Sequence, residues 1–496
     1  MNLAPYVLLA ATAVASAASP KVTLDKTKQL FLNDELIAER DNVKLKIHPA
    51  TKHPENPLLS PEQEWEGKVA LTHGSIIRDG DKFRMWYLAR PGLSYAESDD
   101  GIHCVKPELD LFEIDGHKTN IVIRRDAKEG ETNALPFFYN AQGVMKDPRD
   151  PDPNHRYKLG FVSIQRDYKG PREDVFHKGQ RRGLGVAVSP DGFHWKLVDN
   201  WTTEAICDGP DHWTFDSARQ KWVLYGRTKF KAPDVAAMCM MDPWCKQNWW
   251  GRSVTRLESE DFIHWNLTER ASGPVVLTVD SKDPLGTEFY SMHVFPYESV
   301  YIGLVQVYHA QKGNNTLDVQ LAVSMDGVNF VRVVDRVPFI PLGDVGQWDR
   351  FNQSLANNDP IAVGDELRFY YSGRTYRHGG YVGPDKGVSG GRIGCATIKR
   401  DRFVSVGASF DGGYILTRRM NLVGNTLHLN ATSDYGEIIV EVLADDDQLI
   451  ARSKPVVADS LDIPIQWDKG DLAGVKGPIK VRITLKNALL FALWAT

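Results

Sequence analysis

The sequence predicts an all-β protein, a five-bladed β-propeller followed by a C-terminal β-sandwich. Two observations predict this fold: a turn motif recurs four times, each copy after strand-like segments, and the pattern of the chain changes near residue 409. The composition agrees, since 41 Gly, 27 Pro and 10% aromatic residues among 496 are typical of short strands joined by tight turns.

The first segment of the chain is typical of an export signal. Residues 6–15 form an apolar run that is too short to cross a bilayer, and Ala15-Ser16-Ala17 matches a signal-peptidase site. We therefore expect residues 1–18 to be a signal peptide; a membrane-anchoring helix is the alternative. Later stretches are too short and too polar to span a membrane, so the mature chain should be secreted or periplasmic, with no membrane partner.

The balance of charge argues against nucleic acid as a partner. Lys and Arg number 59 and Asp and Glu number 64, which gives a net charge of −5 and a pI of about 6.3. Domains that bind nucleic acid ordinarily carry a basic surface and an excess of positive charge.

A seven-residue turn motif, S-x-D-G-x-x-aromatic in its clearest form, sets the predicted architecture. Its copies occupy residues 98–104, 189–195, 259–265 and 324–330, and Phe262 replaces the glycine in the third. Asp-Gly between two alternating apolar runs is a strong hairpin signal. Because the aspartates recur with the turn, we interpret them as groups that cap local backbone N–H groups and not as catalysts. They are Asp100, Asp191, Asp261 and Asp326.

Strand pairs accompany the motif and divide the chain into repeating units. Their second strands are predicted at residues 83–87, 157–161, 221–225, 300–304 and 367–371. Five units of about four strands each, over residues 19–408, predict a five-bladed propeller. Residues 409–496 lack the motif and contain short alternating strands, which predicts a β-sandwich. Its last strand, residues 489–494, is strongly apolar, so we expect it to be paired and buried.

The cysteines and acidic clusters give no sign of a cofactor. The five cysteines include no CxxC pair and no zinc-like spacing with histidine, so no cofactor is expected. The acidic residues 147–152 could hold a structural Ca²⁺, but a solvated loop is the simpler interpretation. Cys239 and Cys245 bracket a short loop and form either a disulfide or a pair of buried thiols.

This plan resembles glycoside hydrolase families 32 and 43, the invertase, levanase and arabinanase group, and more closely an exported bacterial branch of family-32-like proteins. The segments that carry the resemblance are residues 31–38, Met85-Trp86-Tyr87, residues 189–195, Arg252-Ser253 with residues 259–265, and residues 413–494. The resemblance covers nearly all of the mature chain. It implies a propeller joined to a sandwich and an activity on glycosidic bonds.

The sequence departs from the family at its catalytic motifs. The W-x-N-D-P-N motif of the first blade, which supplies the nucleophile in family 32, is absent, and the R-D-P motif of the second blade is also interpreted as absent. The E-C-P-D motif, which supplies the acid, has only a distorted counterpart at residues 207–211. Hydrolysis of sucrose or fructan is therefore not supported, and the catalysts have to be sought among other residues.

Most candidate site residues are polar side chains at the start of each blade's first strand, because the innermost strands of a propeller surround its axis. Arg227, which follows Tyr225-Gly226, is added because its guanidinium could reach an acidic sugar or hold a carboxylate; an exposed arginine at a blade edge is the alternative. Glycoside hydrolysis needs two carboxyl groups, and the candidate catalysts are Asp211, Glu288, Asp208, Glu66 and Asp349. The candidates for substrate binding are His73, Asn133, Arg227, Tyr290, Trp348 and Arg350. Trp65-Glu66 and Trp348-Asp349 precede later aromatic residues by nearly equal spacings, so a structural clip is the alternative for those two carboxylates.

The sequence thus predicts an exported glycoside hydrolase that cleaves a terminal sugar from an oligo- or polysaccharide, with a carboxylate pair in an axial pocket. The alternative is a propeller that binds glycans without turnover, which the missing family motifs favour. A scaffold or cell-surface interaction protein is a third class. In the first two the partner is a carbohydrate.

Overall fold

The computed structural model describes residues 22–171, 178–203, 211–266, 274–378, 390–475 and 478–496. It confirms the all-β class, since these residues form 38 strands, two α-helices and four short 3₁₀ helices. The predicted signal peptide, residues 1–18, lies outside them. None of the helices in the described ranges has the length and apolar character needed to cross a membrane.

The chain divides into two compact units. The larger is formed by Leu30–Asn33 and Lys44–Val406, and the smaller by the described part of Met1–Gln29 with Asp34–Val43 and Gly407–Thr496. Five strands precede the first predicted blade: β1 Val22–Leu24, β2 Gln29–Leu30, β3 Ile37–Asp41, β4 Lys44–Ile47 and β5 Thr51–Lys52. The 3₁₀ helices are Asp34–Leu36, Glu64–Glu66, Pro153–His155 and Val334–Arg336.

The larger unit contains five successive groups of strands, and the first three are separate four-stranded sheets. The first pairs in the order β6-β7-β8-β11, and the hairpin β9-β10 lies between its last two strands in sequence. The bounds are β6 Ile76–Asp79, β7 Lys82–Ala89, β8 Gly92–Ser98, β9 Leu109–Ile114, β10 His117–Thr119 and β11 Ile121–Arg124.

The second and third sheets are antiparallel meanders, each paired in sequence order. The second consists of β12 Phe138–Lys146, β13 Tyr157–Arg166, β14 Gln180–Ser189 and β15 Lys196–Thr203. The third consists of β16 His212–Asp216, β17 Lys221–Lys229, β18 Arg252–Ser259 and β19 Val275–Leu277. Two helices, α1 Pro233–Met241 and α2 Pro243–Asn248, are inserted between β17 and β18.

The fourth and fifth groups are joined into one ten-stranded sheet by a single parallel pairing of Leu317 with Asn352. The fourth consists of β20 Thr287–Tyr297, β21 Val300–His309, β22 Thr316–Ser324, β23 Val331–Arg332 and β24 Pro338–Ile340. The fifth consists of β25 Asn352–Leu355, β26 Ile361–Val363, β27 Glu366–Arg374 and β28 Gly391–Lys399. Strand β5 pairs with β28, so a segment from the N-terminal end of this unit completes the fifth group.

The four turn motifs follow the third strand of the first four groups and are capped as predicted. In each one the Oδ1 atom of the aspartate accepts hydrogen bonds from two backbone N–H groups at 2.8–2.9 Å. Burial alone would raise the pKa of Asp261, but hydrogen bonds from His264 and Ile263 hold that pKa at about 2. The motif aspartates are therefore structural groups.

Contacts between neighbouring groups repeat around the unit and close it into a ring. A second-strand aromatic side chain of one group donates a hydrogen bond to a carbonyl in the turn motif of the next group, at 2.7–2.9 Å. The pairs are Trp86 with Gly192, Tyr225 with Gly327, and Tyr370 with Gly101. The last pair joins the fifth group to the first, which is the arrangement of a five-bladed propeller. We therefore call the groups blades.

Asn357, which follows the first strand of blade five, connects the inner strands of several blades. Its backbone N–H donates to Gly74 O at 2.9 Å in blade one, and its Oδ1 accepts from Trp213 N at 2.8 Å in blade three. Its Nδ2 lies 3.2 Å from Met145 Sδ in blade two. A Cβ atom on Gly143 would come within 2.0 Å of that Nδ2, so only glycine leaves room for Asn357 at this crossing.

Two stacked imidazoles continue the contacts at the axis. The rings of His212 and His293, from β16 and β20, lie 4.9 Å apart and are almost fully buried. His293 Nδ1 donates to Ala356 O at 3.0 Å, and His212 Nδ1 accepts from Val294 N at 2.9 Å. Burial lowers the pKa of His293 to about 4, and burial beside His293 lowers the pKa of His212 well below its ordinary value.

The smaller unit is also built of strands. Its eight-stranded sheet has the order β1-β31-β37-β33-β34-β36, with β30 pairing both β37 and β3. In its other strands, β32 lies between β35 and β38. The last strand, β38, is buried along nearly all of its length and pairs with β32, as predicted for residues 489–494. The bounds are β29 Val404–Ala408, β30 Gly413–Thr417, β31 Met420–Leu422, β32 Leu427–Thr432, β33 Glu437–Ala444, β34 Leu449–Ser453, β35 Asp459–Pro464, β36 Trp467–Lys469, β37 Pro478–Lys486 and β38 Ala488–Ala495.

We expect Asn357→Ala to lower the free energy of unfolding by about 3 kcal/mol. The change leaves the buried Trp213 N–H without its acceptor and opens a small cavity between blades. Urea unfolding followed by tryptophan fluorescence measures the effect. Asn314→Ala, at an exposed loop position, is the matched control and should change stability by less than about 0.5 kcal/mol. Equal stability of the two variants would show that Asn357 does not hold the blades together.

We expect the protein to lose stability as the pH falls from 6.5 towards 4. Because the folded-state pKa of His293 lies below 6.5, the unfolded chain binds a proton in this window that the folded chain does not. For His293 alone the loss amounts to about 3 kcal/mol. His293→Asn keeps a donor for Ala356 O and cannot titrate, so its melting temperature should depend less on pH than that of the wild type. The exposed His194→Asn is the control, and an unchanged pH dependence in His293→Asn would contradict the prediction.

Candidate functional site

The candidate site lies at the end of blades three and four where their first strands begin. Because neighbouring strands are antiparallel, this end also carries the end of each second strand and the start of each third strand. In blade four Glu288 is opposite Tyr308, and in blade three Lys229 is opposite Arg252. Helices α1 and α2 connect β17 to β18 and therefore extend from this same end.

Glu288, near the start of β20, is fully buried and anchored by two groups. Its Oε2 forms an ion pair with the Arg252 guanidinium at the start of β18. Its Oε1 accepts a hydrogen bond from the backbone N–H of Trp250. Both carboxylate oxygens of Glu288 are thus bound by groups of residues 250–252.

Asp211, just before β16, is also fully buried. Its Oδ1 accepts a hydrogen bond from the backbone N–H of Arg227 at 3.2 Å. Its own N–H donates to Gln142 Oε1 at 2.5 Å, which ties it to blade two. The carboxyl group therefore lies against β17 beside Gly226.

The Tyr290 ring connects the two carboxylates. The Arg227 guanidinium lies 4.7 Å from its centroid and the Arg252 guanidinium 5.6 Å from it. The backbone N–H of Arg227 binds Asp211, and the Arg252 guanidinium binds Glu288. We call this set the carboxylate cluster; it consists of Asp211, Arg227, Arg252, Glu288 and Tyr290. It brings together four of the predicted site residues.

Aromatic rings surround the carboxylate cluster. Arg252 also packs over the Tyr308 ring at 5.5 Å, and Lys229 lies 4.2 Å from the centroid of Trp250. Trp250 is 46% exposed, so one of its faces can receive a ligand. The His378 ring lies 4.8 Å from both Tyr290 and Tyr308. Tyr308, Trp250, Lys229 and His378 were not predicted from the sequence, because they lie away from the starts of the first strands.

The helical insertion supports one wall of the site. Cys239 in α1 and Cys245 in α2 form a disulfide, which settles an alternative that the sequence left open. Trp249 Nε1 donates to Thr287 O at 3.1 Å, so the segment after α2 is fastened to the start of β20. The adjacent Trp250 N–H is thereby held against Glu288.

Glu66 and Asp349 form matching clips in blades one and five. Glu66 is fully buried; it accepts from Tyr87 OH at 2.5 Å and forms an ion pair with Lys106 at 2.8 Å. Asp349 accepts from Tyr371 OH at 2.8 Å and forms an ion pair with Lys52 at 2.6 Å. The same carboxylate, tyrosine and lysine arrangement in two blades favours the structural alternative.

Asn133 and Trp348 have structural contacts that do not involve the carboxylate cluster. Asn133 Nδ2 donates to Val122 O and to Phe193 O, both at 2.6 Å, and its Oδ1 accepts from Trp195 N at 2.7 Å. These bonds tie the outer strand of blade one to the turn motif of blade two. Trp348 is 8% exposed and stacks on Tyr371, so its face is used in packing.

The remaining predicted residues lie in different places. His73 is buried in the segment before β6, and Arg350 packs over the Phe351 ring at 4.8 Å in blade five. Asp208 lies outside the described residues, as does Cys207. Asp211 and Glu288 are therefore the predicted catalysts that the structure brings into one cluster.

The prediction that the second blade lacks an R-D-P motif was wrong, since Arg149-Asp150-Pro151 lies in the loop between β12 and β13. Asp150 forms an ion pair with Lys158 at 2.5 Å, and Asp147 forms one with Arg149 at 2.8 Å. Positive side chains thus neutralise the acidic residues considered for Ca²⁺. Within the ranges that the structure describes, no group of three or more His, Cys, Asp or Glu side chains could hold a metal.

A broad groove of about 940 Å³ lies elsewhere in the larger unit, between the 3₁₀ helix Glu64–Glu66 and the β9-β10 hairpin. Two of its cations have carboxylate partners, since Lys106 pairs with Glu66 and Arg124 pairs with Asp126, whereas Arg125 donates to Tyr139 O, Arg90 O and Asn140 Oδ1. The groove thus contains ion pairs typical of a protein surface, and the carboxylate cluster is the better candidate for chemistry.

Comparisons with known proteins give a fold-level likeness. No family model and no curated protein matches the chain. An N-acetylgalactosamine deacetylase from F. plautii shares 14% identity with a TM-score of 0.46, over 72% of this chain and 96% of that one. The family 32 β-fructofuranosidase of Bombyx mori shares 9% identity with a TM-score of 0.39, over 91% and 93% of the two chains. A family 43 arabinoxylan arabinofuranohydrolase from Bacillus subtilis shares 11% identity with a TM-score of 0.28, over 87% and 80%. At these identities and TM-scores, the likenesses carry no inference about activity.

Proposed function

We propose that the protein is an exported glycoside hydrolase that cleaves a terminal sugar from an oligo- or polysaccharide, with Asp211 and Glu288 as its carboxyl pair. The supporting observation is the carboxylate cluster, in which these two buried acids are connected through Arg227, Tyr290 and Arg252. The turn aspartates and the two clips recur between blades, whereas this cluster combines different residues of blades three and four.

The environments of the two carboxyl groups suit different roles. Glycoside hydrolysis needs one ionised carboxylate, as nucleophile or base, and one acid that protonates the leaving oxygen. Both carboxylate oxygens of Glu288 are held in place, by the Arg252 guanidinium and the Trp250 N–H, and we therefore assign the role of nucleophile or base to Glu288. The role of acid is then left to Asp211. The exposed face of Trp250 and the ring of Tyr290 are suited to stacking on sugar rings.

The second candidate is a propeller that binds glycans without hydrolysing them. The observation that favours it is the ion pair between Glu288 and Arg252, since a carboxylate fully engaged by an arginine is also a common structural element. In that case the aromatic and cationic residues would bind the same carbohydrate and no bond would be cleaved.

We expect Asp211→Asn and Glu288→Gln each to lower kcat for glycan or aryl-glycoside hydrolysis by about 10²–10⁴-fold. Release of reducing sugar from a panel of plant and algal oligosaccharides measures the activity. Glu66→Gln is the matched control: it also neutralises a buried carboxylate that has a lysine partner, but in a clip. Its melting temperature should fall while kcat remains that of the wild type.

Three results would decide between the candidates. Wild-type kcat in folded Asp211→Asn and Glu288→Gln would exclude this pair as catalysts. Glycan binding by the wild type without any released sugar would favour the binding propeller. Circular dichroism and thermal melting of each variant separate a loss of chemistry from a loss of folding.

A further inference from the structure

A continuous set of cationic and aromatic side chains extends from the carboxylate cluster across blade four to blade five. Arg227 packs on Tyr290, whose ring lies 4.8 Å from His378. The preceding residue in the chain, Arg377, packs on the Phe351 ring at 4.5 Å, and Arg350 packs on the same ring at 4.8 Å. We call this set the cationic ladder; it consists of Arg227, Tyr290, His378, Arg377, Phe351 and Arg350.

The ladder is held in place by backbone hydrogen bonds between blades four and five. His378 N donates to Asn315 O at 2.8 Å, and Leu317 N donates to Phe351 O at 2.9 Å. Phe351 N donates to Arg374 O at 3.3 Å. The segment that carries Arg377 and His378 is therefore tied to blade four. The Arg377 guanidinium is oriented by stacking on Phe351 before any ligand binds.

The ladder is accessible as well as ordered. Tyr290, Arg350, Phe351, Arg377 and His378 are all half-buried, which leaves part of each side chain in contact with solvent. Arg227 is more deeply placed, with 9% of its surface exposed. A ligand that spans the ladder would therefore meet exposed groups in blade five and buried groups beside the carboxylate cluster.

The charge of this end differs from that of the whole protein. The chain carries a net charge of −5, yet this end of blades three to five presents several cations. They are Arg227, Lys229, Arg252, Arg350, Arg374 and Arg377. This end also carries carboxylates, which include Asp211 and Glu288 of the cluster, Asp318 paired with His309, and Asp349 paired with Lys52. The cationic ladder itself contains three arginines and no carboxylate, which favours a ligand that brings negative charge.

We propose that the cationic ladder binds the oxyanion of an acidic sugar, either the carboxylate of a hexuronic acid or a sulfate ester, so that the substrate is an acidic glycan. The planar guanidinium group matches both oxyanions, because two parallel N–H groups can bind two oxygens at once. The aromatic rings between the guanidinium groups provide faces for the C–H surfaces of sugar rings. The proposal rests on the proposed function for the position of the reacting bond, but the binding itself does not require hydrolysis.

Binding of short oligosaccharides to the full-length protein, measured by titration calorimetry, tests the proposal in three arms. The arms are oligogalacturonates, sulfated galactan oligosaccharides, and uncharged galactan oligosaccharides of the same length. We expect at least one acidic arm to bind about tenfold or more tightly than the uncharged arm, and to weaken as salt is added. The arm that binds shows whether the oxyanion is a carboxylate or a sulfate.

The variants are Arg350→Gln with Arg377→Gln, and Arg377→Lys alone. The double variant should lose about tenfold or more in affinity for the acidic glycan and most of its salt dependence. Arg377→Lys keeps the charge but not the two parallel donors, so we expect an intermediate loss. Arg78→Gln is the control, because it removes an arginine that packs on an aromatic ring, Phe83, in blade one. It should bind like the wild type.

Tight binding of the uncharged arm equal to that of both acidic arms would overturn the proposal, as would unchanged affinity in a folded double variant. Asp211→Asn keeps this test separate from the proposed function. Acidic-glycan binding that survives in Asp211→Asn, without turnover by the wild type, would support the ladder and contradict the hydrolase. Hydrolysis of uncharged glycans with no preference for acidic ones would support the hydrolase and contradict the ladder.

Discussion

The hydrogen bonds of Asn357 at the propeller axis are the interaction on which the other features of the larger unit depend. One side chain and its backbone contact three other blades, and the adjacent Ala356 carbonyl accepts from His293 of blade four. Asp211 lies two residues before Trp213, whose N–H binds Asn357. Glu288 lies on the strand that carries His293. These contacts therefore fix the starts of the two strands that position Asp211 and Glu288. They require glycine at residue 143, because a Cβ atom there would clash with the Asn357 side chain.

The sequence was sufficient for features that local chemistry determines. An Asp-Gly turn after an alternating strand forms its own hydrogen bonds within a few residues, so its repetition revealed the blades directly. The equivalence of Trp65-Glu66 and Trp348-Asp349 was also visible, because each carboxylate binds a tyrosine at nearly the same spacing. Burial of the last strand followed from its apolar composition alone.

Features that depend on contacts between distant segments could not be read from the sequence. Glu288 meets Arg252 across 36 residues of chain that contain β18 and β19, and no local pattern marks that pairing. Lys106 and Lys52 reach their carboxylates from separate loops and strands. Polar residues near strand ends look alike in a sequence whether they bind a ligand, as we propose for Arg227 at the end of β17, or fasten two blades, as Asn133 does between β11 and β12. Their roles separate only when their partners are known.

The pairing of β5 with β28 determines when the ring can close. Residues 51–52 are synthesised before all five inner strands, yet their partner strand ends at Lys399. This part of the chain must therefore remain unpaired while four blades and most of the fifth are made. Such long-range pairing is slow, because the entropy cost of ordering the intervening chain comes before the contact stabilises the fold. Until this pairing forms, the ring is open and its unpaired strand edges are the surface exposed to chaperones and proteases.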